Sequence, residues 1–127
     1  MCEPRAVVLK AHPESIKKAR DFVVDAISPW GIDPDVAALV ISELATNAIV
    51  HAEGDTIIVR AARNVDASVS LETWDKDPRR GPAVRRADLD DTAGRGLFLV
   101  ESLVRSWGVR PLADDAGKVV FAILDPD

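Results

Sequence analysis

Apolar and polar positions along this chain follow two periods, and the switch between them marks out the elements. Arg5 to Lys10 is a short apolar run that reads as an edge strand. From Pro13 to Ile27 the spacing is helical, with Ile16, Ala19, Phe22, Val23, Ala26 and Ile27 on one face. Pro13 suits the first turn of that helix and Pro29 stops it. Asp33-Pro34 opens a second helix, the aspartate as cap and the proline in the first helical position. This helix is expected to run to about Ala52, with Gly54 ending it.

The period then shortens. Thr56 to Arg63 is rich in β-branched residues, Asn64 to Asp66 makes a turn, and Ala67 to Asp75 alternates. In that run Ala67, Val69, Leu71 and Thr73 face one way; Ser68, Ser70 and Glu72 face the other. Periodicity vanishes between Lys76 and Ala93, a long loop of Pro, Gly, Arg and Asp. A third helix is expected from about Arg95 to Ser106, with Leu97, Val100, Leu103 and Val104 toward the core. Trp107 to Arg110 and Lys118 to Leu124 read as strands joined by a turn at Asp114 to Gly117. The order β, α, α, β, β, loop, α, β, β is dominated by hairpin connections. It predicts an α+β fold: a two-layer sandwich with a mixed, mostly antiparallel sheet and helices on one face.

Composition narrows the function. A length of 127 residues suits one domain, expected over 1–127, with 47% hydrophobic and 29% charged residues as in ordinary globular chains. The net charge of −5 argues against direct nucleic-acid binding. No run approaches the ~20 apolar residues of a membrane span. With Cys2 the single cysteine, no intrachain disulfide or cysteine metal cluster forms. No signal peptide is visible, so the expected location is the cytoplasm. Arg79, Arg80, Arg85 and Arg86 concentrate positive charge in the loop, which either faces a polyphosphate or is solvated.

Three features carry candidate chemistry. At about 100° per residue, Glu43, Asn47 and His51 form one stripe on the second helix. Val36 and Val40 lie on that stripe, and Leu39, Leu44 and Val50 flank it, while Asp35, Ser42, Thr46 and Glu53 mark a more polar face. A carboxylate, an amide and an imidazole in an apolar sector need partners, from neighbouring backbone or from a ligand. Asp75 ends a strand on its core-facing side, where it either caps the loop at Asp77-Pro78 or accepts a purine amine. Gly94-Arg95-Gly96-Leu97 opens the third helix, where free N–H groups and the helix dipole favour phosphate. Neither a Walker P-loop nor the strand-turn context of a dinucleotide fingerprint is present.

Taken together, these segments resemble the GHKL, or Bergerat-fold, ATPases, the superfamily of gyrase, histidine kinases and anti-sigma-factor serine kinases. Glu43-Leu-Ala-Thr-Asn47-Ala-Ile-Val-His51 resembles the N box. Trp74-Asp75-Lys-Asp77-Pro78 stands where the first glycine box falls, and Ala93-Gly94-Arg95-Gly96-Leu97 resembles the second. Gly117-Lys118-Val-Val-Phe121 is similar to the last strand of the anti-sigma kinase branch. The likeness runs from about Val7 to Leu124.

The resemblance implies a role for each matched residue. Asn47 would hold Mg²⁺ bridging the phosphates of ATP, and Asp75 would accept from the adenine amine. Gly94, Arg95, Gly96 and Leu97 would line the phosphate path under a mobile lid at about 79–93. Glu43 would orient or deprotonate an attacking hydroxyl, a serine on an anti-anti-sigma (STAS-like) partner. His51 would touch phosphate or close its helix. The implied function is a serine/threonine kinase regulating a sigma factor; a nucleotide-binding module that sequesters the sigma factor without turnover is the alternative. A homodimer is consistent with the resemblance. The chain departs from the pattern at two places. Asp77-Pro78 stands where the first box has its first glycine, and Val119-Val120 where a threonine is usual. It also lacks the phosphoacceptor helix of a histidine kinase, so self-phosphorylation on His12 or His51 is not expected.

Overall fold

A computed structural model of the protein describes residues 4–51, 54–76, 100–113 and 116–127. The elements run β1 (Arg5–Lys10), α1 (Ser15–Ile27), a 3-10 turn (Ser28–Trp30), α2 (Pro34–His51), β2 (Thr56–Arg63), β3 (Val69–Asp75), β4 (Ser106–Pro111) and β5 (Lys118–Leu124). Five strands form one sheet in the order β1-β2-β3-β5-β4. All four pairings are antiparallel, which resolves the expected mixed sheet into a uniform one. Helices α1 and α2 pack together, and both pack on the sheet. This is the α+β sandwich that the alternation of periods predicts.

Local chemistry sets the helix ends. The Asp33 carboxylate accepts from the backbone N–H of Asp35 at 2.9 Å, and Pro34 follows in the first helical position. For α1 the expected first turn shifts. Pro13 lies in a turn before the helix, its carbonyl accepting from Ile16 N–H at 3.1 Å, and the helix begins at Ser15. Beyond Pro29 the chain reverses at Gly31 with φ 74°, a left-handed conformation that glycine adopts without steric cost.

Two expected boundaries move. The strand drawn from Ala67 begins at Val69, because Ala67 itself has φ 74° and Ser68 N–H bonds the Asp66 carboxylate at 3.0 Å. The third helix does not reach Ser106. Val100 and Glu101 are helical, but Leu103 N–H turns back to the Val100 carbonyl at 2.9 Å and Arg105 N–H joins the Ile123 carbonyl at 2.8 Å. Its described end therefore feeds directly into β4, and Leu103, expected in the core, is exposed. Its start, from Arg95, lies outside the described residues. The Arg105 guanidinium clamps this corner, reaching both Asp125 and Asp66. Hydrogen bonds from Ser68 and Arg105 hold the Asp66 carboxyl well below the usual carboxylate range.

The core lies between the helices and one face of the sheet. From β3 it takes Val69 and Leu71; from β5, Val120, Ala122 and Leu124; from α2, Val40, Ile41 and Leu44. These side chains interdigitate at interior density, so deletions leave cavities. Leu71→Ala is expected to cost about 2–5 kcal/mol, measured as a lower urea midpoint at unchanged slope. The β3–β5 junction is tighter still. Gly117 has φ 127°, and a Cβ there would lie 2.0 Å from the Asp75 carbonyl oxygen. Gly117→Ala should therefore cost at least about 3 kcal/mol, and an unchanged urea midpoint would contradict this packing.

Candidate functional site

The alternation of β3 decides which of its polar groups reach the helix side. Val69, Leu71, Thr73 and Asp75 point toward the core and are all buried. Asp75 is 3% exposed. Leaving a carboxylate there without partners would cost several kcal/mol, so its environment must supply donors. One donor comes from the neighbouring strand. β5 pairs with β3 so that Lys118 stands opposite Asp75, and its Nζ lies 3.2 Å from Asp75 Oδ1. The two side chains are 2% and 0% exposed. Thr73, one alternation earlier, has a buried Oγ1 with no hydrogen-bond partner among the described residues.

Helix α2 packs on β3 and presents the other half of the candidate site. Asn47 is 2% exposed, as expected for a polar residue in an apolar sector. Glu43, one turn earlier, is half-buried, and burial pushes its carboxyl above the ordinary value. The surroundings of this stripe differ in part from expectation. Val40 and Leu44 are fully buried, but Leu39 and Val50, expected to flank it in the apolar sector, are 39% and 61% exposed. Ser42 and Thr46, expected on the polar face, are half-buried and donate to the carbonyls of Ala38 and Ser42 one turn earlier, each at 2.7 Å. The Ser42 hydroxyl also accepts from Arg20 of α1 at 3.4 Å. The buried sector of α2 is thus rotated toward Ala37, Ile41 and Ala45, and Glu43 falls on its border. That position explains its partial burial.

Other expected site residues fall elsewhere. His51 is the last residue of α2, and nothing of its side chain is described. Gly94, Arg95, Gly96 and Leu97, with the expected lid at about 79–93 and its four arginines, lie outside the described residues. Of the expected set, Asn47 of α2 and Asp75 of β3 are buried, α2 packs on β3, and Glu43 lies on the border of the helix's buried sector.

Lys118 belongs to this group and sequence reasoning passed over it. The strand alternation carried a signal: Lys118 shares a face with the buried Val120, Ala122 and Leu124. What places it on Asp75 is the β3–β5 register, which pairs residues 43 positions apart. Gly117 makes that register accessible, since its backbone sits against the Asp75 carbonyl where a side chain would collide.

The residues present fit a magnesium nucleotide. Among the described residues no group of three His, Cys, Asp or Glu side chains could hold a metal by itself. Mg²⁺ that travels with a triphosphate needs little more, because phosphate and water oxygens fill most of its octahedron. A single buried amide oxygen at Asn47 suits that role, with the Glu43 carboxylate one turn away. A cleft of about 140 Å³ lined by Thr56, Ile58, Trp74, Asp75, Lys76, Leu112 and Ala116 opens at the same end of the sheet, with Thr56, Ile58 and Trp74 on the face away from α2. It is smaller than the ~300–1,000 Å³ usual for small-molecule sites, and neither Glu43 nor Asn47 lines it.

The other face of the sheet carries charge rather than the site. Glu72 is buried there between Arg60 at 3.1 Å and Arg110 at 3.8 Å, and it accepts from the Trp74 indole at 3.0 Å. No helix among the described residues is long and apolar enough to cross a membrane.

Comparison with known proteins agrees with this architecture. Among solved structures, the chain is similar to a crystal structure of the RsbU and RsbW domains of Rv1364c from Mycobacterium tuberculosis, with a TM-score of 0.67 and 21% identity. The match covers 98% of this chain and 32% of that one, so the chain spans about a third of the length of that protein's resolved structure. No curated protein sequence matches. A family model for the histidine kinase-like ATPase domain matches residues 9–124, a span that takes in both helices, strands β2 to β5 and the end of β1. The chain belongs to the histidine kinase-like ATPase domain family.

Proposed function

We propose that this chain is an ATP-binding regulatory protein that transfers the γ-phosphate of Mg-ATP to a serine of an anti-anti-sigma (STAS-like) partner. The observation that carries the reading is the α2 stripe: a buried Asn47 one turn beyond a partly desolvated Glu43, packed over the strand that ends in Asp75. The likeness to a structure that includes an RsbW domain supports the choice of the anti-sigma kinase branch. The serine substrate, the sigma-factor context and a homodimeric state are expectations carried by that likeness.

Each residue has a defined task in this reading. Asn47 would hold the metal by its amide oxygen, and the metal would supply neutralisation of phosphate charge. Asp75 faces the purine amine at the far end. Glu43 orients the serine hydroxyl. The serine oxygen forms a bond to the γ-phosphorus, the bond to the bridging oxygen breaks, and Glu43 takes the hydroxyl proton as ADP leaves. Phosphoryl transfer needs little covalent help from the protein, so positioning and charge neutralisation carry most of the rate. A raised Glu43 pKa makes the carboxylate a better proton acceptor.

One observation favours a second reading. Asp75 already holds the Lys118 ammonium, so the chain is alternatively a nucleotide-binding module that sequesters a sigma factor or other regulator without turnover. Incubating the native protein with Mg-ATP and its cognate partner domain separates the two. Phosphoserine on the partner, abolished by Glu43→Gln, is expected for the kinase; ATP binding without phosphoserine overturns it and leaves the module.

Glu43→Gln should reduce transfer by about 10²-fold or more. It should not lower the thermal midpoint, since it removes a desolvated charge. The pH response follows from the raised carboxyl: activity is full above the Glu43 pKa and falls as pH drops through it, because the protonated acid cannot accept the serine proton. Asn47→Ala should abolish the Mg²⁺ dependence of ATP affinity, measured by calorimetric titration with and without Mg²⁺.

A further inference from the structure

We propose that Lys118 makes the nucleotide site of this chain indifferent to the base, by occupying the carboxylate that would otherwise read it. The inference rests on the reading that Asp75 faces the base, and it concerns what this particular chain does with that residue. The Lys118 Nζ stands 3.2 Å from Asp75 Oδ1, and neither side chain is more than 2% exposed. The ammonium does not arrive by a flexible reach across the surface. Strand register sets Lys118 directly opposite Asp75, and the close passage of Gly117 against the Asp75 carbonyl locks that register.

The competition between ammonium and base amine is unequal. A charged donor on a carboxylate forms a shorter and stronger hydrogen bond than a neutral aromatic amine does. The ammonium is tethered, so it loses no translational freedom on binding, whereas a nucleotide does. Separating the pair would leave a buried charge on each side, which the low-dielectric layer between sheet and helix penalises heavily. An adenine amine entering here meets a carboxylate whose Oδ1 already holds a cation, and an ammonium that presents donors to a donor. A guanine gains no better fit, since it sets its O6 acceptor where adenine has its amine, and that oxygen meets the carboxylate's charge along with an ammonium already held by it. Affinity then comes from the triphosphate and its metal at the Asn47 end, and the base adds little.

The test compares three probes on the intact chain: Mg-ATP, Mg-GTP and Mg-tripolyphosphate. The ratio of their dissociation constants within one variant isolates the base contribution and does not depend on how much of that variant is folded. In the native chain the three are expected to agree within about threefold. Lys118→Thr, which frees the carboxylate, should tighten Mg-ATP about tenfold relative to Mg-tripolyphosphate, the size of one hydrogen bond to a charged acceptor. Lys118→Arg, which keeps a cation opposite Asp75, should retain the native ratio. The double variant Asp75→Asn with Lys118→Thr should lose the gain.

The outcomes separate the two layers of the argument. A native chain that prefers ATP about tenfold, with no gain in Lys118→Thr, overturns the role of Lys118. If the double variant then binds ATP more weakly than Lys118→Thr does, Asp75 still reads the base. A gain in Lys118→Thr that survives Asp75→Asn overturns the base reading itself. Absence of binding by all three probes to every variant overturns the nucleotide site altogether.

Discussion

A carboxylate buried at the end of a central strand constrains everything around it. Asp75 sits on the core side of β3, where water cannot solvate it, so the fold must bring a cation to it. The cation is Lys118, and Lys118 is there because β5 pairs antiparallel with β3 in one register. A slip of a single residue would turn Lys118 to the open face and set Val119 against Asp75. The register is held from both sides of the pair. Gly117 admits the backbone of Asp75 where any side chain would strike it, and the apolar row Val120, Ala122 and Leu124 fits only one face of the sheet.

The same alternation divides the work of the sheet between its faces. Toward the helices lie the core and the candidate site, buried and mostly apolar. On the opposite face Glu72 is matched by Arg60 and Arg110, and Arg110 also lies 5.7 Å from the centre of the Phe121 ring. That ring covers Gly108, where a Cβ would come within 2.9 Å of it. The charges of the two faces are solved separately, which lets the helix side specialise. Helix α2 exploits this, turning Ile41, Leu44 and Ala45 into the core while Asn47 remains buried and Glu43 reaches the border.

Much of this was legible from residue order, and the exceptions have physical reasons. Asp33-Pro34 is a local signal, and the helix it caps starts where it says. The β2 and β5 strands have the bounds their β-branched residues suggest. Glu43 and Asn47 stood out because helix geometry places neighbours four residues apart, so the sequence alone reveals their company. Leu103 was misplaced because its spacing fits a helix that, in the fold, gives way to a turn and the Arg105 clamp. Leu39 and Val50 were misplaced because burial follows the direction of the neighbouring elements and not hydropathy. Lys118 was passed over for a stronger reason. Its partner is 43 residues away, and only the sheet register connects them.

These two kinds of legibility coincide with two halves of the proposed site. The half proposed for phosphate is made locally, by Glu43 and Asn47, four residues apart on one helix. The half proposed for the base is made by tertiary pairing of β3 with β5, which sets Lys118 opposite Asp75. A buried ion pair couples its two members, because each depends on the other to be tolerated in the core. Any account of what this domain binds has to treat them as one group, with the strand register as the element that joins them.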